Sequence, residues 1–234
     1  MRRAWPRIAS RFLDSVKDNS KINKLSAFTL IELIVVIAVV ALVTLVVIPT
    51  VTRQFMPRRS SKVGCSNNLK QVGLSFRLWA NDNRDQFPMQ VSTNAGGTLE
   101  FVETPFAFRH LQALSNELST PRVLQCPHDK RRGWATNFTT DLNNGKVSYF
   151  VGVDAQETNA TMFLSGDRNI TSGRISKNGM LLLTTNQTIG WTKEIHVRCG
   201  NIGLSDGSVQ SVDNSALRRL VRNTGVATNR LAMP

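Results

Sequence analysis

The sequence predicts an α+β protein in which one long N-terminal helix packs over a small antiparallel sheet. Three observations carry that expectation. An apolar run fills 28–51 with a single charge in it, Glu32. Helical periodicity then continues to about residue 81. Beyond Phe87, short β-like runs alternate with Gly, Asn and Asp turn signals.

The chain has 234 residues, a length that suits one ordinary domain with an appendage, or two small domains. With 41% hydrophobic and 19% charged residues it can build a core, which excludes wholesale disorder. The net charge of +13 is unevenly spread: residues 1–27 carry seven basic and two acidic side chains, and the remainder carries +8. The pI of about 10.7 therefore reflects the head in part and is not by itself a nucleic-acid signature. A basic head before an apolar run is the pattern of an N-terminus retained in the cytoplasm.

The apolar run comes first in the element order. Its 24 residues, at about 1.5 Å each, match the roughly 30 Å hydrocarbon core of a bilayer. It is longer than the roughly 7–15 residues of a secretory h-region. A plain membrane tether explains the hydropathy but not Glu32. An ionisable group in a spanning helix costs about 2.5–3.5 kcal/mol at the centre and less near an end. A helix that must find a partner in the membrane has a use for such a group.

The segment AFTLIELIVVIAVVALVTLVVIPTV resembles the N-terminus of type IV pilins and type II secretion pseudopilins. The resemblance implies a prepilin leader over 1–27, cut by a prepilin peptidase between Ala27 and Phe28, and N-methylation of the new terminal Phe28. Ala27 stands where that family favours Gly. Glu32 becomes the fifth mature residue, where the family uses it to neutralise the N-terminal amine of a neighbouring subunit. Pro49 falls where many members carry a helix-loosening proline. The implied partners are the peptidase, other pilin or pseudopilin subunits, the assembly machinery and the inner membrane, with the C-terminal domain periplasmic. The expected divisions are the leader, a transmembrane and assembly helix at 28–52, its amphipathic continuation at 53–82, and a β-rich domain at 83–234.

In the continuation, Cys65, Leu69, Val72, Phe76 and Trp79 follow spacings of 4, 3, 4 and 3, which places them on one helical face. Pro57 and Gly64 are expected to kink or loosen the helix. NDNRDQFP at 81–88 ends it. Strands are expected at 98–103, 147–153, 160–166, 180–186, 194–205 and 208–212, and helices at 106–118 and 216–224. The stretches CSNNLKQVGLSFRLWANDNRDQFP and HVRCGNIGLSDGSV also resemble a group of bacterial pilin-like envelope proteins with a His-x9-Asp-Gly signature, here His196 to Asp206–Gly207.

Cys65 lies on the apolar helix face and Cys126 opens the CPHD loop. A bond between them would staple helix to domain and leave Cys199 as a thiol. The alternative is that all three are separate apolar fillers.

Asp206–Gly207 reads first as a hairpin turn. The competing reading has His196 and Asp206 meeting across the sheet around a cation, with Asp213 nearby. Type II pseudopilins, which the chain resembles, bind calcium in a C-terminal loop, but calcium wants about 6–8 oxygens and few are offered here. His110, His128 and His196 sit in no recognisable catalytic motif, so no enzyme is expected. Arg131, Arg132 and Trp134 offer only a thin nucleic-acid platform, and nucleic acid is not expected as a partner. The expected function is a structural subunit of a pseudopilus or type IV pilus-like filament serving protein secretion. The competing class is a membrane-tethered periplasmic binding module that does not polymerise.

Overall fold

The computed structural model describes residues 29–172 and 175–234, with the side chains of 49–62 excepted. The cleavage and methylation positions Ala27 and Phe28 lie outside the described residues. The chain divides into two units, residues 1–54 and 55–234.

Helix α1 runs Leu30–Asp82. Its start is set by Thr29 and Glu32. The Glu32 amide donates to Thr29 Oγ1 at 3.3 Å, while the Thr29 amide and hydroxyl donate to Glu32 Oε2 at 3.0 and 2.9 Å. This reciprocal capping box was legible in Thr-Leu-Ile-Glu, although the sequence reading gave Glu32 only a role between subunits. The stretch Leu30–Ile48 has a mean hydropathy of 3.2 and is wholly unburied, so this helix is long and apolar enough to cross a membrane. Pro49, Pro57 and Gly64 all fall within the helical backbone.

In the second unit the later turns of α1 supply Cys65, Leu69, Val72, Phe76 and Trp79 as one buried face. Arg84 and Asp85 take left-handed φ values of 60° and 58° as the chain leaves the helix. The segment 98–103 is not a strand. Leu99–Phe101 forms a single 3-10 turn, because Leu99 N bonds back to Val91 O at 3.0 Å and Glu100 caps Ser92 and Thr93. The helix expected over 106–118 contracts to α2, Phe108–Gln112, followed by turns that still bury Leu114 and Leu118.

Among the described residues eight strands follow: β1 Tyr149–Gly152, β2 Phe163–Asp167, β3 Ile170–Thr171, β4 Met180–Thr184, β5 Gly190–Trp191, β6 Cys199–Leu204, β7 Val209–Asp213 and β8 Thr228–Ala232. Helix α3, Asn214–Asn223, sits between β7 and β8. Six strands form one antiparallel sheet in the order β4-β8-β1-β2-β6-β7, and β3 pairs with β5 separately.

Both faces of the central strands are covered. Val151 and Leu164 join the α1 side with Val72 and Phe76, whereas Phe150 and Phe163 join the opposite core with Ile202, Leu217 and Val221. Double coverage makes β1 and β2 continuous buried runs rather than alternating ones. The C-terminal strand β8 went unread in the sequence. TNRLA has little β-branched character, and its burial comes from insertion between β4 and β1.

Close strand packing fixes Gly152. A Cβ there would lie 1.8 Å from the Phe163 carbonyl oxygen of β2, which is backbone and cannot swing away. Gly133 would meet only the end of the Lys146 side chain, at 3.4 Å. Gly152→Ala is therefore expected to destabilise the protein by about 3 kcal/mol or more, and Gly133→Ala by no more than about 0.5 kcal/mol. Denaturant melts of the two variants check the contrast.

Candidate functional site

The polar residues of greatest interest gather where α1, the CPHD turn, the end of β2 and the loop into β6 converge. Cys65 and Cys126 are joined by a disulfide with Cα atoms 4.9 Å apart, and both residues are fully buried. Leu69, Tyr149 and Ile195 pack around them. The Tyr149 hydroxyl donates to the Cys65 carbonyl at 3.5 Å, and burial pushes its pKa well above 10. Cys199, the third cysteine, is half-buried at the start of β6 and forms no disulfide.

After Cys126 the chain turns sharply, with Asp129 N donating to Cys126 O at 2.8 Å. The turn sets the His128 ring against that of His196, centroids 4.9 Å apart and nearly perpendicular. His196 is buried on a second tight turn, closed by Cys199 N to His196 O at 3.4 Å, with Arg198 at φ 53°. Its Nε2 lies 3.7 Å from Cys126 Sγ and 3.4 Å from Asp167 Oδ2. Asp167 Oδ2 also accepts from the Asn201 amide at 2.7 Å and the Asn201 side chain at 2.9 Å. Asn169 fastens this region by donating to the carbonyls of Thr192, His196 and Cys199.

A charged clamp flanks the cluster. Arg168 grips Asp129 through two bonds of 2.7 and 2.8 Å and reaches Glu194 at 2.8 Å. The Asp129 carboxylate is wholly buried, so the guanidinium is its compensation; breaking such a pair from one side costs about 3–5 kcal/mol. Burial alone would raise the Asp129 pKa, but the bonds and charge of Arg168 hold it below its ordinary value.

Asp167 faces the His196 imidazole at 3.4 Å, and no Arg or Lys among the described residues bonds it. Burial pushes its carboxyl up from 3.8 to about 7, against the pull of the two Asn201 hydrogen bonds. Its Oδ1 is buried without a hydrogen-bond partner among the described residues.

His196 and Asp206 do not form a joint cation site. Asp206 is exposed in the β6–β7 turn, whereas His196 precedes the other end of β6. Six residues of strand, about 17 Å, separate the two ends. Asp213 pairs with Cys199, also at the end remote from Asp206, and its carboxylate caps α3 through Ala216 N at 2.8 Å. Asp206 closes the turn by accepting from Ser208 N at 2.8 Å, and Gly207 takes φ 83°. His110 is a core histidine bonded to Thr98 Oγ1 at 2.8 Å, with its pKa lowered to about 4 by burial.

The residues weighed as a nucleic-acid platform each have a contact within the domain. Arg131 pairs with Glu194, Arg132 bonds the carbonyls of Asn144 and Pro234, and Arg122 covers the Trp134 ring. Cys126 is closed in the disulfide, and its sulfur and the Asp167 carboxylate both face the same imidazole nitrogen of His196, Nε2.

Sequence reading singled out Cys65, Cys126 and His196 but missed His128, Asp167, Asn201 and the Asp129–Arg168 clamp. The C-x-H spacing of Cys126 and His128 was the available signal. Asp167 and Asn201 come from different strands and had none. No family model, curated protein or solved structure matches the chain.

The raised Asp167 pKa has a definite sign. The unfolded chain loses this proton near 3.8 and the folded one near 7, so the folded state binds more protons between those values. This group's contribution is full below about pH 4 and is lost as pH rises through about 7. Asp167→Asn is expected to flatten the fall in melting temperature between about pH 4 and 7, read by thermal melts in matched buffers.

Proposed function

We propose that this chain is a pilin-like structural subunit, anchored by its N-terminal helix and assembled with like subunits into a pseudopilus or type IV pilus-like filament serving protein secretion. The carrying observation is Glu32, one carboxylate at the head of a wholly exposed apolar helix, within a segment that resembles a processed and methylated prepilin terminus. The α+β domain, with the later turns of α1 buried against its sheet core, is compatible with that reading. In such an assembly the α-amine of Phe28 on one subunit meets Glu32 of another. Away from water the pair holds a unique axial register, because a slip would strand both charges.

Thr29 gives Glu32 a second role within its own chain, and the two roles separate by substitution. Glutamine suits the capping box as well as glutamate does, but it carries no charge. Glu32→Gln is expected to insert in the membrane at least as well as the wild type and yet lose crosslinkable oligomers about tenfold or more. Glu32→Leu is expected to do the same with a frayed helix start. Wild-type crosslinking of Glu32→Gln in membranes would leave Glu32 as a cap only and favour a solitary tethered module.

A further inference from the structure

Two sets of metal-ligating atoms converge on one histidine. Donor atoms of Cys65, His128 and His196 lie within 4.8 Å of one another, and so do those of Cys126, Asp167 and His196. The disulfide joins the two sets. We propose that the reduced protein binds one zinc-class divalent cation through Cys65, Cys126, His128 and His196, and that disulfide formation closes this site.

The donor set argues for the cation. Two thiolates and two imidazoles form the tetrahedral sulfur–nitrogen donor set that suits zinc, His196 is common to both sets, and the one carboxylate among these donors, Asp167, is far short of the oxygens that calcium or magnesium takes. Ligand atoms on one zinc stand about 3–4 Å apart. Within each set of three the donors are already within 4.8 Å of one another, and reduction frees the two sulfurs to separate to that range by side-chain rotation. The backbone is already held: Cys65 and Cys126 have Cα atoms 4.9 Å apart, His128 is fixed by the turn at Cys126, and Asn169 and the His196–Cys199 turn fix His196. Asp167 Oδ2 faces the imidazole nitrogen that also faces Cys126 Sγ, so a carboxylate stands beside the position the cation would take. His128 is only half-buried, which leaves a route in from solvent on one side of an otherwise buried cluster.

The chemistry balances. A dithiol donates two electrons and two protons to the Cys65–Cys126 bond and leaves as its own disulfide. The sulfur–sulfur bond breaks and two thiols form. Cation capture makes two metal–sulfur bonds and releases those two protons to solvent. Every newly made chain holds these cysteines as thiols, so the metal-binding form precedes the disulfide form. The same four residues thus serve a metal-held and a covalently held state of one helix–domain junction.

Cobalt(II) is the probe, because thiolate ligation gives it charge-transfer absorption in the near ultraviolet and tetrahedral geometry gives it intense visible bands. The full chain in detergent is reduced with a phosphine, which becomes its oxide and does not compete as a thiol. The reduced chain is expected to take up one cobalt(II) per chain with both signatures and to release it to zinc. The untreated disulfide form is expected to take up none. His128→Ala, a change at a half-buried side chain, should weaken uptake at least tenfold, whereas Cys199→Ser should leave it unchanged. A reduced wild-type chain without the charge-transfer band overturns the proposal, whether or not it keeps its fold. So does uptake that ignores His128→Ala, that depends on Cys199, or that is equal in the disulfide form.

Discussion

The Cys65–Cys126 bond is the constraint on which the surrounding structure depends. It ties a helix to a loop across 61 positions of sequence, and the chain-entropy account gives a closed loop of that size about 4 kcal/mol. Its larger effect is positional. The turn that begins at Cys126 carries His128 and Asp129, Asp129 fixes Arg168 beyond β2, and Arg168 reaches Glu194 on the segment that leads to His196. One covalent junction thereby registers α1, β2 and the loop into β6.

The polar interior beside that junction is costly. Asp167 is retained as a buried carboxylate facing an imidazole and no guanidinium among the described residues, while Asp129, on the neighbouring turn, receives a full guanidinium clamp. A protein that needed only a rigid helix–sheet junction would be served by apolar packing, which the rest of the same interface supplies through Leu69, Val72 and Phe76. Imidazole, sulfur and carboxylate are thus concentrated at one corner of an interface whose remainder is apolar.

Much of the fold was legible. The apolar run, the helical face from Cys65 to Trp79 and the hairpin at Asp206–Gly207 are local patterns, and local patterns survive folding because neighbouring residues remain neighbours. The failures were equally physical. The segment 98–103 alternates like a strand but pairs with no strand among the described residues, and its backbone closes into a 3-10 turn against Val91. Strand β8 lacks strand composition but gained two partners by insertion between β4 and β1.

By itself, the sequence determined an apolar helix able to span a bilayer, a carboxylate at its head, an amphipathic continuation and an α+β domain. These follow from periodicity and hydropathy, which are properties of the chain taken in order. Only the tertiary structure decided what the polar residues do. Nine residues lie between His196 and Asp206 in sequence, yet an extended strand carries them to opposite ends of a hairpin. The same strand geometry and the α1 junction bring His196 to Cys126, His128 and Asp167, from distant parts of the chain. Strands separate what is close in sequence and pairing joins what is remote, so the site had to be read from the sheet.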